Sequence, residues 1–112
     1  MKKPITLKKL QKYVKKRNFK PKKKQQYFMK LIEEVGELSE MIKKDKRLDP
    51  ENVKLKAIKG TMEEELADVL YYLLALANVY EIDLAEAFLR KEALKKKHER
   101  RNRAKTEGDA PQ

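Results

Sequence analysis

Residues 61–80, TMEEELADVLYYLLALANVY, carry the reading on which the fold turns. Thr61 and Glu64 have the spacing of a capping box, in which a side-chain oxygen satisfies a free N–H at the start of a helix. Beyond it, Leu66, Val69, Leu70, Leu73, Leu74, Leu76 and Val79 fall around nearly the whole circumference of a helix rather than in strand alternation. A helix apolar on all sides has to be covered on all sides. Asp68 and Asn78 are the only acid and amide between Leu66 and Tyr80. An ionised carboxylate among so many apolar neighbours is costly unless it is paired, hydrogen-bonded or metal-bound.

Working outward, the other segments also read as helices. Thr6 can cap a first helix to about Asn18, with Leu7, Leu10, Tyr13 and Val14 on one face. Pro21 breaks the chain, and a second helix is expected from about Lys22 to Lys44 with Phe28, Leu31, Ile32, Val35, Leu38 and Ile42 as its core stripe. Residues 45–60 form a connection, where Asp49 and Pro50 could start a short helix. Asp83 and Glu86 make a second capping box, opening a fourth helix to roughly Arg103. The expectation is one all-α domain over residues 1–112, a four-helix bundle with residues 1–5 and 104–112 flexible at its ends.

The 112 residues include no cysteine, which excludes disulfides and thiolate zinc sites. The longest apolar run contains Asp68 and is too short to span a bilayer, and no signal-peptide core follows the first residues. A soluble, cytoplasmic chain is expected. The net charge of +11 is unevenly placed: residues 1–30 carry 13 Lys/Arg and no acid, residues 31–89 carry 7 against 14, and residues 90–112 carry 9 against 4. An acidic centre between basic ends suits a metal-bound polyphosphate. A noncatalytic basic helical module that binds nucleic acid through residues 1–30 and 90–105 is the alternative.

The acid falls into two clusters, Glu33, Glu34 and Glu37 in LIEEVGELSEM, then Glu65 and Asp68 in EEELADVL. Residues three apart lie on neighbouring rows of one helical face, so each cluster converges. The first lies about eight residues before the end of its helix and the second about five after the start of the next, roughly 12 and 7 Å from the connection. Antiparallel packing at about 8 to 10 Å would bring them nearly level. A solvated face is the default reading for Glu33 and Glu40. Gly36 stands mid-helix, where it costs about 1 kcal/mol relative to alanine, and close helix packing or room for a ligand would account for it. His98, among Lys95, Lys96, Lys97 and Arg100, reads as a surface residue.

LIEEVGELSEMI followed by EEELADVLYYLLALANVYEIDLAEAF resembles the MazG-like nucleotide pyrophosphohydrolases, relatives of the all-α dUTPases, over most of residues 6–91. The resemblance implies an oligomeric all-α enzyme, a homodimer or homotetramer, that cleaves nucleoside triphosphates to monophosphate and pyrophosphate with Mg²⁺, Mn²⁺ being a substitute. It implies that Glu34, Glu37, Glu65 and Asp68 hold the metal and that Glu33 and Glu34 are the catalytic carboxylates, Glu33 serving as base or as support behind the ligands. It further implies a phosphate contact from Lys91. Tyr72, four residues after Asp68, reads mainly as core or subunit interface, with a place beside the nucleotide as its functional reading.

Overall fold

The computed structural model describes residues 4–109, and among these the chain forms four α-helices and no strand: α1 (Leu7–Arg17), α2 (Lys24–Lys44), α3 (Met62–Val79) and α4 (Leu84–Asp109). Two 3-10 segments, Pro21–Lys23 and Leu55–Ile58, lie between them. No helix of the described residues is long and apolar enough to cross a membrane. The end segments expected to be flexible fall partly at residues 1–3 and 110–112, outside the described residues. α4 continues past its expected end at Arg103 through Asp109.

Helix starts follow the expected chemistry. Thr6 Oγ1 accepts from Lys9 N at 3.1 Å, Thr61 Oγ1 accepts from Glu64 N at 3.3 Å, and Asp83 Oδ1 accepts from Glu86 N at 3.1 Å. Glu64 does not close its box on Thr61 itself: its Oε1 accepts from Gly60 N at 3.2 Å, and Gly60 takes the left-handed φ of 71° that a side chain disfavours. The expected helix at Pro50 is not formed. Asp49 Oδ1 accepts from Glu51 N and Asn52 Oδ1 from Lys54 N, and such local side-chain bonds favour turns over helix. The short helix of this connection comes later, at Leu55–Ile58.

α2 and α3 form the main packed pair, with α1 laid against α3 and touching α4. The core is small: Val14, Tyr27, Leu74 and Ala75, flanked by Leu7, Leu10, Leu70, Tyr71, Tyr72, Leu76, Val79 and Leu84. Two expected stripes are corrected. On α1 the buried face holds Gln11 beside Val14, while Tyr13 is exposed. On α2 the buried residues are Tyr27 and Glu34, with Leu31, Leu38 and Met41 half-buried; Phe28, Ile32, Val35 and Ile42 are exposed. Tyr27 wins the inward place because its hydroxyl donates to Asn18 Oδ1 at 2.8 Å and accepts from Lys20 N at 2.9 Å, satisfying the α1–α2 link while the ring fills the core.

α4 leaves the other helices, with Phe88, Leu89 and Leu94 exposed. The Cα radius of gyration is 19.4 Å, against about 13 Å for a compact domain of this length. One chain alone therefore covers α3 incompletely, and Leu66 and Leu73 remain exposed.

Gln11 is the polar fastening between α1 and the α3–α4 turn. Its Nε2 donates to Ile82 O at 2.6 Å, its Oε1 accepts from Leu84 N at 3.1 Å, and its main-chain O accepts from Asn78 Nδ2 at 3.0 Å. Gln11→Ala should cost about 1 to 3 kcal/mol, because it leaves a carbonyl and an N–H without their partner. Urea unfolding at equilibrium measures this; a change below about 0.5 kcal/mol would contradict it.

Candidate metal centre

Antiparallel packing of α2 on α3 brings the two acidic clusters together. Carboxylate oxygens of Glu34, Glu65 and Asp68 lie within 4.8 Å of one another, and so do those of Glu33, Glu34 and Glu37. Glu34 belongs to both groups and stands at their centre. It is buried, as is Glu65, whereas Asp68 is half-buried and Glu33 and Glu37 are exposed.

The helical register explains that gradation. Glu34 shares the inward edge of α2 with Tyr27, Leu31 and Leu38, so tight α2–α3 packing carries it inside. Glu33 and Glu37 sit on the rows to one side and keep contact with solvent. On α3, Glu65 and Asp68 are one turn apart, just inside the capped start, where negative charge is also favoured by the helix dipole.

One oxygen of each buried carboxylate, Glu34 Oε2 and Glu65 Oε2, has no hydrogen-bond partner. Buried polar atoms are seldom left so. A compact set of carboxyl groups with two buried oxygens lacking partners and exposed acids at the rim fits a hard divalent cation, since Mg²⁺ takes oxygen ligands and retains waters.

Burial is the first cause of raised carboxyl pKa values here, with neighbouring acids second. Glu65 is pushed up to about 7 by burial, by its hydrogen bond to Glu34, and by the Glu37 and Glu34 charges. Burial likewise raises Glu34, against the opposing effect of the Glu65 hydrogen bond, and raises Asp68, with Glu64 and Glu37 adding and Lys30 opposing. The interaction between the two buried carboxyls thus acts in opposite senses, raising Glu65 and lowering Glu34.

Lys30 was not legible as a site residue from the acidic motif. Its Nζ lies 3.5 Å from Glu33 Oε1 and 3.6 Å from Glu34 Oε1, and Glu33 is the main cause of its raised pKa. The signal was present in the spacing, since a lysine three and four residues before two glutamates lies on their face. Tyr72 joins the group: burial raises its hydroxyl pKa, followed by the influence of Lys30, Glu34, Tyr71 and Asp68. Its ring meets Tyr71 edge-on at 5.3 Å.

Lys91 is not brought to the carboxylates. It lines a separate cavity of 320 Å³ with Leu7, Leu70, Leu73, Leu84, Ala87 and Phe88. Gly36 is exposed, and a Cβ there would meet nothing within 4 Å, so no close packing within the chain requires glycine.

The sign of the pH dependence follows from Glu65. Its ordinary pKa of 4.5 rises to about 7 in the fold, so the folded state holds this proton more tightly. That contribution to stability is fully present below about 4.5 and is lost as pH rises through about 7. The melting temperature in EDTA should fall across this window, and Glu65→Gln should flatten the fall. An equal pH slope in both proteins would contradict the assignment.

Known proteins share both sequence and fold with this chain. The MazG nucleotide pyrophosphohydrolase domain matches residues 22–104. The crystal structure of Ctag-iMazG from Vibrio DAT 722 superposes with a TM-score of 0.74 at 46% identity, covering 82% of this chain and 99% of that one. Ntag-iMazG from the same source gives 0.73 at 46% identity, covering 82% and 95%. Comparison with curated proteins gave no match. A domain match over most of the chain, joined to that identity and superposition, means that the chain belongs to the MazG nucleotide pyrophosphohydrolase family.

Proposed function

We propose that this protein is a Mg²⁺-dependent nucleoside triphosphate pyrophosphohydrolase, with Mn²⁺ as a substitute, cleaving (d)NTP to (d)NMP and pyrophosphate in the cytoplasm as nucleotide-pool housekeeping. The observation that carries the proposal is the meeting of Glu34, Glu37, Glu65 and Asp68 around two buried carboxylate oxygens that lack partners. Those four residues would hold the cation. When bound, Mg²⁺ would supply charge neutralisation of the triphosphate and a lowered pKa for the attacking water.

The chain's own groups have separable tasks. Glu33, exposed beside Glu34, would accept the proton of that water. Lys30 sits on the same rim, where it can exchange its Glu33 and Glu34 contacts for a phosphate oxygen. Tyr72 flanks the cluster on the α3 side and offers a ring wall to the nucleotide. An open groove along α2, running from Gln25 and Met29 to Lys30 and Glu33, would give the nucleoside a surface beside the carboxylates. Lys91 would reach phosphate only across a subunit boundary or after a movement of α4.

The assembly belongs to the same proposal. Phe28, Ile32, Val35 and Ile42 form an exposed apolar stripe on α2, with Gly36 open beside it. A second copy packed there in a homodimer or homotetramer would cover the stripe, and the bare glycine would permit close helix approach. Light scattering at micromolar concentration should report at least a dimer; a monodisperse monomer would refute this part.

Phosphate release measured with and without added pyrophosphatase tests the reaction, since phosphate appearing without the coupling enzyme would contradict pyrophosphate as product. Asp68→Asn should lower hydrolysis by more than about 100-fold, beyond the 10- to 100-fold typical of residues that only support a ligand. The same change should leave the EDTA-treated protein as stable as wild type or more so, because it removes a repelling charge. It should shrink the rise in melting temperature that Mg²⁺ gives the wild type. Equal Mg²⁺ responses in the two proteins would sink the site assignment.

A further inference from the structure

α1 lies outside residues 22–104, the part of the chain that the family domain matches. Its inward edge is accounted for by Val14, Gln11, Leu7 and Leu10. Its outward side is not. Lys9, Lys12, Lys16 and Arg17 are exposed there, the basic run continues through Lys20, Lys22, Lys23 and Lys24, and no acid occurs in residues 1–30. Among the described residues of this segment, Lys8 and Lys30 are the only cations in an ion pair.

A charged surface that served only solubility would need no aromatic rings, yet two stand among these cations. Tyr13 is 53% exposed and Phe19 39% exposed. The Arg17 guanidinium lies 5.8 Å from the Tyr13 ring centre and Lys15 Nζ lies 4.9 Å from that of Phe19. A third pair, Lys24 over Tyr80 at 5.6 Å, follows at the start of α2. Cations spaced along a surface with rings between them are what a flexible polyanion with stackable bases requires.

We infer that the outer face of α1 and the Phe19–Lys24 link bind single-stranded nucleic acid, at a surface separate from the carboxylate site. The lysines neutralise backbone phosphates, and Tyr13 and Phe19 supply ring faces for unpaired bases. A membrane surface is disfavoured by the helix itself, because interfacial helices bury an apolar stripe in lipid and the stripe of α1 is already turned into the core.

Fluorescence anisotropy with labelled oligo(dT) and oligo(U), in EDTA so that the metal site is silent, tests the inference. Binding should weaken with salt, each neutralised phosphate adding about 0.7 to the slope of log K against log salt. Replacing Lys9, Lys12 and Lys16 together by Gln should flatten that slope by about 2. Tyr13→Ala should weaken single-strand binding roughly 5- to 100-fold, the size of one lost base stack, while leaving duplex binding unchanged. Asp68→Asn should bind as wild type, which separates this surface from the proposed hydrolase, and circular dichroism melts confirm that each variant is folded. Absence of binding at low salt, wild-type affinity in the triple variant, or indifference of single-strand binding to Tyr13→Ala would overturn the inference. Tighter binding to anionic phosphatidylserine vesicles or to polyglutamate than to oligo(dT) would overturn it too, identifying a different occupant.

Discussion

Two glutamates from different helices, Glu34 and Glu65, are buried against each other where α2 packs on α3. Two full negative charges about 4 Å apart repel by roughly 4 kcal/mol at an effective dielectric near 20, a large share of a small domain's net stability. The repulsion is eased because burial and the neighbouring acids raise the Glu65 carboxyl to about 7, so that it takes up a proton more readily than an ordinary glutamate, and because Lys30 stands over the rim. The packing of the remainder can be understood as what holds these two side chains in place against that repulsion.

Much of that holding is done by small and polar residues. Ala75 and Ala77 are buried on α3 and let neighbouring helices approach it closely. Gln11, Asn78 and Tyr27 then fix the chain at the turns, each satisfying main-chain groups that burial would otherwise strand. Apolar burial alone would not do this: Leu74 is the only large side chain fully buried among the described residues. A core this thin depends on directional bonds for its register.

α2 is divided lengthwise into three faces by its periodicity. Tyr27, Leu31, Glu34 and Leu38 face α3, Lys30, Glu33 and Glu37 line the acidic rim, and Phe28, Ile32, Val35 and Ile42 form an apolar stripe left uncovered by this chain. The division puts the proposed subunit contact and the proposed catalytic groups on opposite flanks of the α3-facing edge of one rigid element. The basic, aromatic-studded face of α1 lies apart from both, in a segment outside the family domain match.

The helix class, three of the capped helix starts and the two acidic clusters could be read from the sequence, because each depends on residues within a few positions of one another: a hydroxyl or carboxylate at an N-cap, or carboxylates three apart. The near-level register of the clusters was legible for a related reason, since it needs only helix rise and a connection that lets two helices turn back on each other. Which of Tyr27 or Phe28 turns inward was decided by the tertiary structure, since both are large and apolar and only the hydroxyl bonds to Asn18 and Lys20 separate them. Gln11 displacing Tyr13 from the buried face has the same origin, in distant partners at Ile82 and Leu84. The projection of α4 and the pKa of Glu65 were likewise beyond the sequence, because each arises from what packs, or fails to pack, across helices far apart along the chain.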